Sequence, residues 1–190
     1  MENCLFLSGK VLLLLILIPG SVLAGEGGFN DPERAGIGVT FGHSYDPSPT
    51  FGFLQITGIL QYDYDRIWPH PAPEPLYFKV EASLGLADYH DNKRLMTSAN
   101  MLAQYYISDK PGRFHPYLEA GIGLIYTDFN VEDQGLRFNF NPQAGIGCDF
   151  LTKKGNGYFA NLRLHHLSNG NLYRDNRGNN SVLLQIGRWF

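Results

Sequence analysis

The sequence predicts an all-β chain whose eight antiparallel strands close into a transmembrane β-barrel of the bacterial outer membrane. Three observations lead to this prediction. Long stretches alternate between apolar residues and polar or small ones, the first residues have the pattern of an export signal, and the chain ends on an aromatic residue, Phe190. Aromatic residues make up 14% of the chain and charged residues only 17%, which excludes disorder, because disordered chains have few aromatic residues and many charges.

Residues 1–24 are predicted to be a signal peptide that is cleaved after export. Lys10 precedes an apolar run over 11–18, which is too short to cross a bilayer as a helix. Small residues then lead to Ala24, where signal peptidase would cleave; a short membrane anchor is the alternative. The predicted organisation is therefore a signal peptide over 1–24 and a barrel over 25–190.

Charge and cysteine content exclude several classes of function. The chain has 15 basic and 18 acidic residues, and this balance lacks the basic excess of nucleic-acid binders. We therefore expect no nucleic-acid partner. Cys4 lies inside the predicted signal peptide, which leaves Cys148 as the single cysteine of the exported chain. The exported chain therefore has neither an internal disulfide nor a cysteine-based metal site.

Alternation with a period of two residues defines the strands, because side chains of equal parity lie on one face of a strand. Over 76–88 the even positions are apolar and the odd positions are polar or small. The same split recurs over 138–150, where Pro142 calls for a bulge because it has no amide hydrogen to donate. The other six predicted strands lie at 35–43, 51–64, 98–107, 117–124, 158–169 and 180–190.

The length of the alternating stretches distinguishes a membrane barrel from a soluble β-sandwich. Sandwich strands usually have about five or six residues, whereas a tilted membrane strand needs about nine to eleven. The polar face also carries charged side chains that could pair inside a narrow lumen. These residues are Lys79, Glu81, Glu119, Asp149 and Arg163.

The final hairpin, over 158–190, carries the candidate catalytic residues. The lipid-facing positions of its first strand end in His166 and Ser168, and on its second strand the same face extends back to Asn180. Polar groups against hydrocarbon cost free energy unless they have a partner or a function. These three side chains are therefore the candidate catalytic residues.

The register of this hairpin depends on where its turn lies. With the turn centred near Arg174, Ser168 is expected opposite Asn180, and His166 opposite Val182. Cβ atoms across a strand pair lie about 4.5–5.5 Å apart. This spacing predicts a Ser-His-Asn cluster on the lipid-facing side.

Such a cluster predicts nucleophilic ester hydrolysis, with Ser168 as the nucleophile and His166 as the general base. His165 has the opposite parity and points into the lumen, so the two histidines cannot bind one metal ion. We expect neither a metal nor another cofactor. An even-stranded barrel with both termini in the periplasm would place the cluster at the outer rim, facing outer-membrane lipid that consists of lipopolysaccharide.

The hairpin resembles the lipid A 3-O-deacylases, or PagL-type enzymes, which are eight-stranded outer-membrane barrels. The resemblance rests on a His-x-Ser-Asn element at 166–169 and an Asn-x-Gly element at 176–178. It implies that the enzyme removes the 3-O-linked acyl chain from lipid A of lipopolysaccharide. It also implies that His166 is the base and Ser168 the nucleophile.

The resemblance assigns further roles in the same hairpin. It makes Asn169, Gly170 and Asn176 candidates for positioning the substrate or stabilising the oxyanion. The family has a Glu on the last strand where this chain has Asn180. An Asn can accept a hydrogen bond from the imidazole but carries no charge, and Asp175 in the loop is the alternative acid.

Two arginines of the predicted outer loop, Arg174 and Arg177, are candidates for contacts with lipid A phosphates, because a guanidinium group can bind phosphate with two hydrogen bonds. Solvated loop charges are the alternative interpretation. Two other functions remain open: a phospholipase that uses the same pair of residues, and a non-catalytic barrel that is structural or binds a partner. The sequence also leaves open whether the barrel is a homo-oligomer.

Overall fold

A computed structural model describes residues 31–68, 70–107, 113–152 and 157–190; the predicted signal peptide lies outside them. The described residues form one antiparallel sheet and a single helical turn. Among them, no helix has the length and apolar character needed to cross a membrane. The elements are β1 (Arg34–Asp46), β2 (Gly52–Asp63), α1 (Tyr64–Ile67), β3 (Leu76–Tyr89), β4 (Asn92–Tyr106), β5 (Phe114–Thr127), β6 (Phe138–Phe140), β7 (Gln143–Leu151), β8 (Gly157–Leu167) and β9 (Asn179–Trp189).

The sheet closes on itself. Its strands pair in the order β4, β3, β2, β1, β9, β8, β7, β5, and the pairing of β4 with β5 completes the ring. Strand β6 also pairs with β5, and β6 and β7 are the two halves of one strand position. The ring therefore has eight strand positions, which confirms the predicted eight-stranded antiparallel barrel.

The break between β6 and β7 lies at Pro142, which cannot donate a hydrogen bond. The Pro142 carbonyl instead accepts from the His166 backbone N–H at 3.0 Å, and the Phe140 N–H donates to the Ser168 carbonyl at 2.7 Å. The strand predicted at 138–150 is thus two segments. Its first segment pairs with the chain just beyond β8, which places Ser168 against β6.

The outer face of the barrel is apolar, as the alternation predicts. Large hydrophobic side chains from several strands are well exposed, among them Ile56 at 61%, Leu124 at 56% and Leu164 at 60%. A continuous apolar band of this kind is unfavourable in water but matches the hydrocarbon of a bilayer. The alternating positions in between point inward. Most of them are polar or small, but large apolar side chains form two buried clusters, one with Phe53, Met96 and Leu183 and the other with Ile59, Phe159 and Trp189.

Four charged side chains form a network inside the lumen. Arg163 donates from both Nη atoms to the Glu81 carboxylate at 2.7 Å and from Nε to Glu119 at 2.6 Å, while Lys79 pairs with both carboxylates. All four residues are at most 3% exposed. Two cations thus balance two carboxylates, which is the condition under which charges can be buried.

His165 points into the lumen, as predicted. It is 5% exposed and, with Arg163, lines an interior cavity of about 20 Å³. The next residue, His166, is half-buried on the opposite side of the strand. Alternation therefore separates the two imidazoles across the wall of the barrel.

Candidate active site

The hairpin of β8 and β9 pairs His166 with Asn180. The predicted register, which placed Ser168 opposite Asn180 and His166 opposite Val182, is wrong by two residues. The pairing of the two strands ends at Leu167 and Asn179, so the turn is centred one residue earlier than predicted, and hydrogen bonds of Asn169 inside the loop hold it there. Because the shift is even, each side chain keeps its predicted face.

The observed register creates a direct contact between the imidazole and the amide. His166 Nδ1 and Asn180 Oδ1 lie 2.7 Å apart. An amide oxygen can only accept a hydrogen bond, so Nδ1 carries the hydrogen and Nε2 has a free lone pair. This is the tautomer that a general base requires, and the bond is of the type expected for Asn180.

Ser168 continues the outer face two residues beyond His166, and it is half-buried. Its backbone N–H donates to the Phe140 carbonyl at 3.0 Å, which completes the bridge to β6. Within the described residues, the imidazole of His166 makes one side-chain hydrogen bond, to Asn180. A bond between nucleophile and base often tightens only when substrate binds.

Gly178 lies against the imidazole from the loop side. Its backbone has φ +77°, a left-handed conformation that other residues rarely adopt. A Cβ atom at this position would lie 2.8 Å from His166 Cε1 and 3.0 Å from the Leu167 carbonyl oxygen. A side chain at position 178 would therefore both strain the loop and displace the ring.

Asn169 and Asn176 hold the loop that follows β8. The Asn169 N–H donates to Asn176 Oδ1 at 2.7 Å, and the Asn169 amide donates to the Asp175 carbonyl at 2.9 Å. The Asn176 amide donates to Asn171 Oδ1 at 2.9 Å, while Gly170 takes the left-handed conformation with φ +62°. These bonds lie within the loop, so a role of Asn169, Gly170 and Asn176 toward substrate stays a prediction.

The neighbouring loop, over 128–137, supports this loop, and sequence reasoning did not identify it. The Arg177 N–H donates to the Asp133 carbonyl at 3.1 Å. Gln134 is 3% exposed, and its Oε1 accepts from the Gly178 N–H at 2.9 Å. Nothing in the sequence pattern marks Gln134, because its partner belongs to a distant loop.

Asp46, at the end of β1, is the second residue that the sequence did not single out. The Asn180 amide donates from Nδ2 to Asp46 Oδ2 at 2.9 Å, and the Asn179 amide donates to the Asp46 carbonyl at 3.1 Å. The first and last strands, β1 and β9, pair with each other, and Asp46 pairs with Asn180 there. The Asp46 carboxylate is therefore linked to the His166 imidazole through the side chain of Asn180.

The two loop arginines have acidic neighbours. Arg174 Nε lies 3.6 Å from Asp175 Oδ1, and Arg177 Nη2 lies 3.8 Å from Asp46 Oδ1. The arginine side chains are 84% and 53% exposed, and ion pairs this exposed contribute little stability. Both guanidinium groups are open to an anionic headgroup, and their contact with phosphate stays a prediction. Among the described residues, the Asp175 carboxylate makes no hydrogen bond to the imidazole.

Comparison with known proteins identifies the family and the fold of the chain. The family model described as lipid A 3-O-deacylase (PagL) matches residues 56–189. The crystal structure of the outer membrane enzyme PagL matches with a TM-score of 0.62 and 22% sequence identity, over 80% of this chain and 97% of that one. Neisserial surface protein A (NspA) matches with a TM-score of 0.63 and 13% identity, over 82% and 94%. At these identities the two structures share the fold. No curated protein sequence matches the chain.

Proposed function

Because the chain belongs to the lipid A 3-O-deacylase (PagL) family, we propose that it hydrolyses the 3-O-linked acyl ester of lipid A, with Ser168 as nucleophile and His166 as general base. The protein is a barrel of the bacterial outer membrane. The observation that supports the mechanism is the 2.7 Å bond from His166 to Asn180, which leaves Nε2 free on the side of the barrel that faces lipid.

The reaction would proceed through an acyl-enzyme. Ser168 Oγ attacks the ester carbonyl carbon while its proton passes to His166 Nε2. The tetrahedral intermediate collapses, the bond between the carbonyl carbon and the sugar oxygen breaks, and the imidazolium returns the proton to the leaving alkoxide. Water then attacks the acyl-Ser168 ester in the same way, releasing a fatty acid and restoring the hydroxyl.

The lipid-facing position of the site suits an amphiphilic substrate. Leu164 and Val182, adjacent to the imidazole along β8 and β9, are exposed on the same face. An acyl chain can therefore lie along the barrel without leaving the hydrocarbon of the membrane, and its ester bond comes to the strand ends. The exposed guanidinium groups of Arg174 and Arg177 lie in the loop next to this position, where they can bind the phosphate groups of lipid A.

The test is the mass spectrum of lipid A after incubation of purified lipopolysaccharide with the barrel in detergent. We expect loss of one acyl chain from the 3-position, and no loss with heat-unfolded protein. A parallel reaction with phospholipid separates the alternatives. Release of fatty acid from phospholipid alone would contradict the proposal and identify the protein as a phospholipase. No release from either lipid would favour a non-catalytic barrel.

Replacing Gly178 by Ala should lower activity strongly without unfolding the barrel. The added methyl group would overlap the edge of the His166 ring, and a misplacement of about 1 Å can cost roughly a hundredfold in rate. The matched control is Gly58→Ala, because a Cβ at position 58 meets no atom of the described residues within 4 Å apart from its chain neighbours. Deacylation rates of the two variants, with heat-modifiable migration on gels as the folding check, measure the effect. Equal rates would show that the ring does not depend on Gly178.

A further inference from the structure

Asn180 occupies the position where the resemblance to the family expects a carboxylate, and an amide differs from a carboxylate in having two unlike ends. Its Oδ1 faces His166 Nδ1 at 2.7 Å, and its Nδ2 faces Asp46 Oδ2 at 2.9 Å. A carboxylate offers an acceptor to the imidazole in either orientation, whereas an Asn does so in only one of two. Something else must therefore select the orientation of the Asn180 amide.

We propose that Asp46 is a positioning residue, which selects the catalytically competent orientation of Asn180 and through it the tautomer of His166. The inference rests on the proposed function for its activity readout. A carboxylate accepts hydrogen bonds and does not donate them, so only the NH₂ end of Asn180 can face Asp46. The carbonyl end must then face His166, which places the hydrogen on Nδ1 and leaves Nε2 as the base.

The opposite orientation would disable the base. If the amide turned over, its NH₂ group would donate to Nδ1, and the ring hydrogen would move to Nε2. The proton that His166 must accept from Ser168 could then not be taken up at Nε2. In a serine triad, this type of tautomer error costs about ten-thousandfold in rate.

A β-bulge brings Asp46 to the outer face. Along β1, Ser44 is fully buried and points inward, so in a regular strand Asp46 would point inward as well. The pairing with β9 instead shifts between Ser44 and Asp46, and Tyr45 is the extra residue. Bulges redirect side chains in this way, and here the redirected carboxylate reaches Asn180 on the face that carries His166.

Orientation, rather than charge, is the effect expected of Asp46. Its side chain is 54% exposed, and its contact with Arg177 is 3.8 Å long. Solvent screens a charge in this setting, so it contributes little stability. A directed hydrogen bond to one end of an amide does not depend on a buried charge.

The first test compares Asp46→Ala in two backgrounds. With Asn180 present, we expect kcat to fall about ten- to a hundredfold with KM nearly unchanged, less than the full tautomer error because the amide still samples the correct orientation. In an Asn180→Glu background, either carboxylate oxygen can accept the hydrogen bond from His166 Nδ1, so no orientation has to be selected. Asp46→Ala should then leave kcat unchanged or raise it. The isosteric variant Asp46→Asn should change kcat in the same direction as Asp46→Ala in the Asn180 background, by a smaller factor.

The outcome in the second background decides between orientation and a structural role. An equal loss of kcat in both backgrounds would show that Asp46 only holds the strand end, and would overturn the proposal. An unchanged kcat in the Asn180 background would overturn it as well.

The second test does not depend on activity, so it remains valid even if the proposed esterase function fails. Protein labelled with ¹⁵N at histidine and held in detergent micelles reports the tautomer, since protonated and unprotonated ring nitrogens resonate far apart. The His166 signals are identified by their loss in His166→Asn. We expect hydrogen on Nδ1 in the wild type and a new population with hydrogen on Nε2 in Asp46→Ala. Hydrogen on Nε2 in the wild type would overturn the proposal.

Discussion

Lipid A treated with a Ser168→Ala variant should keep its 3-O-linked acyl chain, and the same result is expected for His166→Asn. Removing the nucleophile or its base costs several orders of magnitude in rate, because the two groups act as one unit. For the same reason, the double variant should be little slower than either single variant. Mass spectra of lipid A over a time course, with the enzyme in excess in the slow reactions, measure all three rates.

Matched replacements on the same side of the barrel control for indirect effects. His90 is an exposed imidazole in the turn between β3 and β4, at the same end of the barrel, and Ser48 is an exposed serine of the turn after β1. His90→Asn and Ser48→Ala should deacylate at the wild-type rate. Undiminished deacylation by a folded Ser168→Ala variant would exclude the mechanism, whatever the controls show.

Replacing Arg163 by Met should destabilise the barrel more than any change at the active site. The variant would leave Glu81 and Glu119 with Lys79 as their one cationic partner among the residues that the structure describes, in a lumen where all these side chains are almost fully buried. Breaking a buried ion pair by removing one member costs about 3–5 kcal/mol, since the remaining charge is left uncompensated. Urea titration of the barrel in detergent, followed by tryptophan fluorescence, measures the loss in free energy of unfolding.

A compensating replacement tests the cause of this loss. Arg163 contacts Glu81 through two hydrogen bonds, so adding Glu81→Gln to Arg163→Met removes one surplus negative charge and should recover part of the stability. Arg174→Met is the control, because the side chain of Arg174 is 84% exposed and surface changes usually stay within about 0.5 kcal/mol. If Arg163→Met unfolds at the wild-type urea concentration, the lumenal network does not stabilise the barrel.

The face of each side chain is predictable from the sequence even where its partner is not. Alternation assigns His166 and Asn180 to the outer face of the barrel and Arg163 to the lumen, and burial confirms this division. The period of two does not depend on register, so an error of two residues in the hairpin leaves it intact. The error itself concerns where the turn is centred, which depends on hydrogen bonds inside the loop, from Asn169 to Asn176 and Asp175, and strand alternation does not reveal them.

The sequence by itself determined the class of fold, the two faces of each strand and the His-x-Ser-Asn element that carries the proposed chemistry, because all of these depend on residues close together along the chain. The tertiary structure decided which groups surround that element. Asp46 and Asn180 are 134 positions apart in the sequence, and Gly178 and Gln134 are 44 positions apart. Such contacts depend on which strands pair and on the bulge in β1. Strand alternation encodes neither the pairing nor the bulge.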